Sequence, residues 1–332
     1  MAQLVGCAAI TQSLGLRVRL DQIPVTALSA SLVDKHGTSV VALGPGESAR
    51  LVVIAASDGK QYVSVGAGHG KVALDNYTIT ATIVAVSKRG VVALSPDPRL
   101  SDGKVAHLHI VPVAHGNLAA DLDIPVRYDI AYSANFSGAD GSDGMDGTIG
   151  TDGTAGSDGT PATTDSVTGA STLQGPGGNG TDGSRGGDGG NGWDGSAGLA
   201  VHIRVRVQSG TKPLLQVAAA GGGRQSFYLV DPDGGSLKII ADGGRGGRGG
   251  QGGRGGHGGS GGNGFPPGSS GIDGQPGFDG RPGAEGAAGT IEITVDPAAQ
   301  SFLKCITWSN QSGDGRPGPA PTISVEPVAP LW

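Results

Sequence analysis

Apolar residues between positions 16 and 130 come in short, alternating, β-branched runs separated by turn residues. This pattern predicts strands at 16–20, 25–33, 39–43, 49–55, 61–65, 77–84, 90–94, 105–111 and 124–130. Asp58-Gly59 and Asp102-Gly103 mark turns between such runs, because Asp and Gly accept the left-handed backbone that tight turns need. Short strands at roughly 10-residue spacing predict an antiparallel β-sandwich over residues 16–135. The alternation returns at 201–207, 214–220, 225–230 and 236–241, predicting a four-strand meander within residues 199–242. Further strands are predicted at 290–295 and, after a Pro-rich spacer at 316–321, at the C-terminus. There Thr322, Ile323, Ser324, Val325, Glu326 and Val328 form an isolated strand-like piece with no evident partner, a candidate for pairing with a second subunit.

Elsewhere the period changes from two to three. Segments 138–159, 177–198, 243–264 and 268–289 each carry eight in-phase glycines across 22 residues. Such spacing fits a collagen triple helix or a bundle of polyproline-II-like helices with three residues per turn and no internal hydrogen bonds. Connection lengths decide between them. A 22-residue rod spans about 65 to 70 Å, whereas the three residues 265–267 reach only about 10 Å. The fourth segment must therefore run back along the third. The 17 residues 160–176 reach at most about 60 Å, so the first two are also expected to be antiparallel. Antiparallel neighbours within one chain exclude collagen, and the non-glycine positions of the first three segments hold no proline.

Glycine density orders the rods. The third segment carries a doubled glycine column, with Gly243, Gly246, Gly249, Gly252, Gly255, Gly258, Gly261 and Gly264 each followed by another glycine except at the end. It is expected to be the inner rod, with the first and fourth outside and the second, which has extra glycines at 178, 187 and 190, mixed. Asp182, Asp188 and Asp194 of the second segment and Arg245, Arg248, Arg254 and His257 of the third suggest pairing between those two rods.

The expected fold is mostly β with a polyproline-II bundle. It comprises a leader at 1–15, a sandwich at 16–135, a bundle at 136–312 with the β-insert at 199–242, and a tail at 313–332 carrying the donor strand. Hydrophobic residues make up 36% and aromatics 4% of the chain while 65 residues are Gly, which argues against one large core. A net charge of −6 argues against a nucleic-acid partner. No apolar run reaches the roughly 18 to 20 residues needed to cross a bilayer.

Leu4-Val5-Gly6-Cys7 resembles a bacterial lipobox, although only six residues precede the Cys. Cys7 is thus a candidate lipid anchor, the one membrane link expected, or a disulfide partner of Cys305. His107 and His109 share one face of a strand with His115 nearby, but no carboxylate or Cys completes a metal set at ligand spacing. Asp140, Asp143, Asp146, Asp152 and Asp158 form a column that reads as a solvated acidic face, since one column cannot supply the six or more oxygens of a Ca²⁺ site. Thr148, Thr151, Thr154, Ser157 and Thr160 resemble the regular Thr faces of ice-binding proteins. No catalytic set or cofactor motif is evident: Gly66 to Lys71 fails the phosphate-loop pattern at Val65 and Val72.

The triplet segments resemble the polyproline-II and polyglycine-II bundles of springtail antifreeze proteins and phage tip adhesins. Residues 201–295, with strands preceding a GGx run and a GxD run, are similar to Gly-rich surface lipoproteins of myxobacteria. The piece from Pro45 to Val53 and on through Asp58-Gly59-Lys60 looks like immunoglobulin-like modules of bacterial surface proteins. These resemblances imply a non-enzymatic extracellular or cell-surface protein without cofactor. One expectation is a structural subunit that forms filaments by self-association through its terminal strand. The alternative is a monomeric adhesin for a glycan, a surface or ice.

Overall fold

The computed structural model describes residues 18–208, 210 and 212–332. The leader and Cys7 lie outside them, as do residues 16 and 17 of the strand expected at 16–20; the rest of that stretch is not a strand, since Val18 makes only an isolated bridge to Val72 and Leu20–Gln22 is a 3-10 turn. Ten strands build the N-terminal part: β1 (Ala27–Val33), β2 (Ser39–Val40), β3 (Ser48–Ser57), β4 (Lys60–Val65), β5 (His69–Gly70), β6 (Tyr77–Thr82), β7 (Val84–Val86), β8 (Val91–Leu94), β9 (Ala106–Pro112) and β10 (Ala120–Ile124). One sheet runs β2-β1-β3-β4-β5, with β8 also pairing β3 and β7 pairing β8; the other runs β10-β9-β6. Period-two alternation divides β9 between core and solvent. On β9, Ala106, Leu108 and Ile110 are buried, and they share a core with Leu32, Leu51 and Val53 of the facing sheet. Between β3 and β4, Asp58 and Gly59 take φ of 47° and 74°, the turn that their sequence predicted.

One expected strand is misplaced. Residues 125–130 are not a strand; β10 ends at Ile124, and the next strand starts at Ala131. Pro125 has no N–H to continue the ladder, and Asp121 and Asp123 on the outward face of β10 dilute its apolar signal.

The second part contains β11 (Ala131–Asn135), β12 (Thr163–Thr164), β13 (Ser171–Thr172), β14 (Val201–Gln208), β15 (Leu214–Gly221), β16 (Arg224–Val230), β17 (Ser236–Ile240), β18 (Ile291–Val295), β19 (Ile306–Ser309) and β20 (Thr322–Val325). Two sheets, β16-β15-β14-β18-β20 and β11-β17-β19, contribute to a single core that includes Ile203, Val205, Leu215, Leu237, Ile239 and Ile293. The expected four-strand meander is therefore three strands, because β17 crosses to the smaller sheet. Local alternation fixes which residues are strand but not which sheet receives them. β12 and β13 form a small hairpin in the connection between the first two glycine segments.

The terminal strand finds its partner within its own chain. β20 lies parallel to β18, with Glu292 opposite Thr322 and Val295 opposite Val325. Glu326 N donates to Val295 O at 3.0 Å, and Val328 is buried. The final residue extends this anchoring: Trp332 Nε1 donates to Asp102 Oδ2 at 2.9 Å, and its ring meets Phe227 edge-on at 5.8 Å.

Each glycine segment continues a strand of this β-base. β11 leads into the first, the second leads into β14, β17 leads into the third, and the fourth leads into β18. β11 pairs β17 in parallel and β14 pairs β18 in parallel, so strand directions at the base set segment directions above it.

Candidate functional site: the glycine-segment bundle

Hydrogen bonds between the segments follow one rule per pair. Every third amide from Gly138 to Gly159 donates to the third segment, from Gly138 N to Asp242 O at 2.8 Å through Gly159 N to Asn263 O at 2.6 Å, with both chains advancing together. These two segments are parallel. The second and fourth are parallel by the same pattern, from Gly180 N to Ser269 O through Gly198 N to Ala287 O, both at 2.9 Å. The first and second are antiparallel, as Gly178 N to Ser157 O and Ser196 N to Ala139 O show. So are the second and third (Gly244 N to Ser196 O, Gly262 N to Gly178 O) and the third and fourth (Gly268 N to Gly262 O, Gly286 N to Gly244 O).

Consecutive segments are thus antiparallel, as connection length required, but alternate ones are parallel. The second and third each bond to all three others, while among the described residues no bond links the first to the fourth. Two segments are inner, correcting the expectation of one. The second qualifies despite its mixed glycines because its three faces meet three neighbours. A Cβ at Gly186 would collide with Gly253 O of the third segment, and one at Gly187 with the hydroxyl of Thr148 on the first. In the third segment, a Cβ at Gly252 would strike Gly277 O and one at Gly253 would strike Thr148 O. The doubled glycine column is therefore a steric requirement on two sides.

The acidic columns are exposed, but they are not free faces. Asp140, Asp143, Asp146, Asp152 and Asp158 each accept a bond of 2.7 to 2.8 Å from the backbone N–H of Arg245, Arg248, Gln251, His257 and Asn263, in that order. The series skips Ile149 and Ala155, which have no acceptor. Asn179, Asp182, Asp188, Asn191 and Asp194 of the second segment serve the fourth in the same way, at Ser269, Ile272, Phe278, Arg281 and Ala284. Asp273, Asp279 and Glu285 of the fourth accept from Gly258, Gly252 and Gly246. The spent side chains replace the water that an extended helix without internal bonds would otherwise need. The backbone bond from Phe278 holds the Asp188 carboxyl below the usual carboxylate range, and the bond from Gly258 does the same for Asp273.

The cation column of the third segment does not face the acids of the second. His257 instead lies 3.7 Å from Asp273 of the fourth segment, both well exposed, and Arg185 pairs within its own segment to Asp188 at 2.6 Å. The threonine column is likewise occupied by bonds across the first two segments. Thr151 Oγ1 donates to Ser184 Oγ at 3.0 Å, and the hydroxyls of Thr154 and Thr181 are 3.1 Å apart.

The remaining site residues fall elsewhere. Cys305 is buried and free among the described residues, its thiol donating to Phe302 O at 3.1 Å and shifted upward by burial. Cys7 lies outside the described residues. At the far end of the bundle Asp165 closes the β12–β13 loop by accepting from Val167 N and Thr168 N. Val167, Leu173 and Phe265 stand 91%, 89% and 75% exposed there. The sequence showed the triplets but not the acceptor role of Asp and Asn; the recurring Gly-x-Asp and Gly-x-Asn triplets carried that signal. Comparison with protein-family models, with curated proteins and with solved structures returns no match for this chain.

Proposed function

We propose that this is a non-enzymatic recognition module of an extracellular or bacterial cell surface, in which a stiff bundle holds a binding tip away from a β-base. In this reading the four segments are polyproline-II-type helices and the N-terminal sandwich is immunoglobulin-like. A helix of that type rises by about 3.1 Å per residue and a parallel strand by about 3.3 Å, so segment pairs can inherit strand register without slipping. The carrying observation is that this bundle, tied together at successive turns, ends in a loop pair presenting Val167, Leu173 and Phe265 to solvent. Exposed apolar groups on a rigid support suit a contact surface, and glycans or cell-surface components are the ligand class in view.

Filament formation through the terminal strand stands second. Its favouring observation is that β20 is an edge strand with Ile323 and Val325 each 45% exposed. Exchange would require β20 to leave β18 and Trp332 to leave Asp102.

The test is binding of labelled protein to immobilised glycans and to whole bacterial cells, alongside a variant with residues 163–172 replaced by a Gly-Ser linker and Phe265→Ser. A monomer whose binding disappears in the variant supports the reading. Binding unaffected by the tip change, or filaments in negative stain, would sink it.

A further inference from the structure

We propose that His107, His109 and Asp121 form a binding site for a single divalent transition-metal ion of the zinc class on the outer face of the N-terminal sandwich. This inference is independent of the bundle and of any ligand at its tip.

The sequence provides two matching alternations. His107-Leu108-His109 on β9 sends Leu108 into the core and both imidazoles outward, and Asp121-Leu122-Asp123 on β10 sends both carboxylates outward. Antiparallel register sets His109 opposite Asp121 and His107 opposite Asp123. The carboxylate that seemed to be missing at ligand spacing along the chain is therefore delivered across the strand pair. Cross-strand neighbours on one face are close enough for their side chains to meet. His115 does not join them: its Nε2 is bonded to Leu20 O at 2.9 Å.

One donor atom from each of His107, His109 and Asp121 lies within 4.8 Å of the others. Asp121 Oδ1 is 2.7 Å from His109 Nδ1 and 3.2 Å from His107 Nε2. In a tetrahedral zinc site with bonds near 2.0 to 2.1 Å, ligand atoms stand about 3.3 Å apart. Small rotamer adjustments of exposed side chains would cover the difference.

His107 supplies the second observation, because both of its nitrogens face carboxylates. Nδ1 is 2.7 Å from Asp123 Oδ1, and Nε2 faces Asp121. A neutral imidazole has one N–H. When Nδ1 donates it to Asp123, the Nε2 lone pair is left against the lone pairs of Asp121. A cation held between Nε2 and Oδ1 relieves that conflict. Asp123 then acts as the outer carboxylate that orients a metal-bound imidazole. Two nitrogen donors select a zinc-like ion over Ca²⁺ or Mg²⁺, which prefer oxygen. Three protein ligands leave a fourth position for water or for an oxygen of a bound molecule.

The experiment is calorimetric titration of the full-length, tag-free protein with ZnCl₂, and separately with CaCl₂, together with long-range ¹H–¹⁵N spectra of the imidazoles. One zinc per chain is expected, with zinc-induced changes at His107 and His109 nitrogens and none from calcium. His109→Ala and Asp121→Ala should lose the binding, Asp123→Asn should weaken it by about 10- to 100-fold, and His202→Ala, which alters the separate His202–Glu292 pair, should leave it unchanged. Absence of zinc uptake, zinc shifts at other histidines only, or wild-type affinity in both Ala variants would overturn the proposal. The imidazole spectra of the unaltered protein decide the matter even where a variant fails to fold.

Discussion

The carboxylate of Asp140 accepts a 2.7 Å hydrogen bond from the backbone N–H of Arg245, 105 residues further along the chain. The same offset relates Ala131 to Ser236 in the β11–β17 pair below it. An offset of 90 likewise joins Val201 to Ile291 in the base and Asp194 to Ala284 in the bundle. The sheets thus fix the register, and the Asp and Asn side chains keep it along the segments.

This assigns the acidic columns a structural role with a sharp chemical test. Asp143→Asn and Asp146→Asn should leave the melting temperature near wild type, because Asn179 and Asn191 already perform this task in the second segment. Asp143→Ala with Asp146→Ala removes both acceptors and should lower it. Calorimetric melting of the two double variants makes the comparison, and equal loss in both would show that charge rather than acceptor geometry matters.

The same bonds set a pH dependence. Asp188 and Asp273 have carboxyls held low in the folded protein, by the Phe278 and Gly258 amides respectively. A group with a lowered folded pKa stabilises above its unfolded value of about 4 and loses that contribution as pH falls through the folded value. Melting temperature should be level from neutral pH down to about 5 and should fall below about 4. Asp188→Asn with Asp273→Asn should make the acid limb shallower, and an unchanged limb would count against these bonds.

Much of this architecture was legible in the sequence, and what was not had a physical cause. Glycine triplets and the three-residue link at 265–267 gave four segments and their antiparallel succession. The doubled glycines fall on the third segment, which bonds to all three others. The second escaped because a segment can also be inner when Ser184 and Thr181 bond to facing hydroxyls instead of giving way to glycine. The cluster of His107, His109 and Asp121 was hidden because its carboxylate is near in space through the β9–β10 register, not near in sequence. The partner of β20 was hidden for a similar reason: parallel pairing to β18 leaves no local turn signal.

Steric demand at the inner segment predicts a steep contrast between neighbouring positions. Gly253→Ala places a methyl group on the Thr148 carbonyl, whereas the Arg254 side chain points to solvent. Overpacking of this kind costs about 1 to 3 kcal/mol or more, so Gly253→Ala should lower the melting temperature by several degrees while Arg254→Ala should not. Similar melting for both would place the doubled column outside the packed interior.

The tail supplies another contrast. Removing residues 322–332 uncovers the edge of β18 and detaches the Trp332 contact with Asp102, so stability should fall. On a sizing column the truncated and intact proteins should both elute as monomers. Multimers of the intact protein that vanish on truncation would instead support strand exchange between subunits.

The glycine segments form an ordered, mutually bonded bundle. Amide hydrogen exchange of residues 243–264 in the intact protein tests it most directly. Gly247, Gly250, Gly253, Gly256 and Gly259, which donate to Trp193, Gly190, Gly187, Ser184 and Thr181, should be protected as strongly as the amides of β14. Exchange of these glycines at the rate of an unstructured chain would contradict the account.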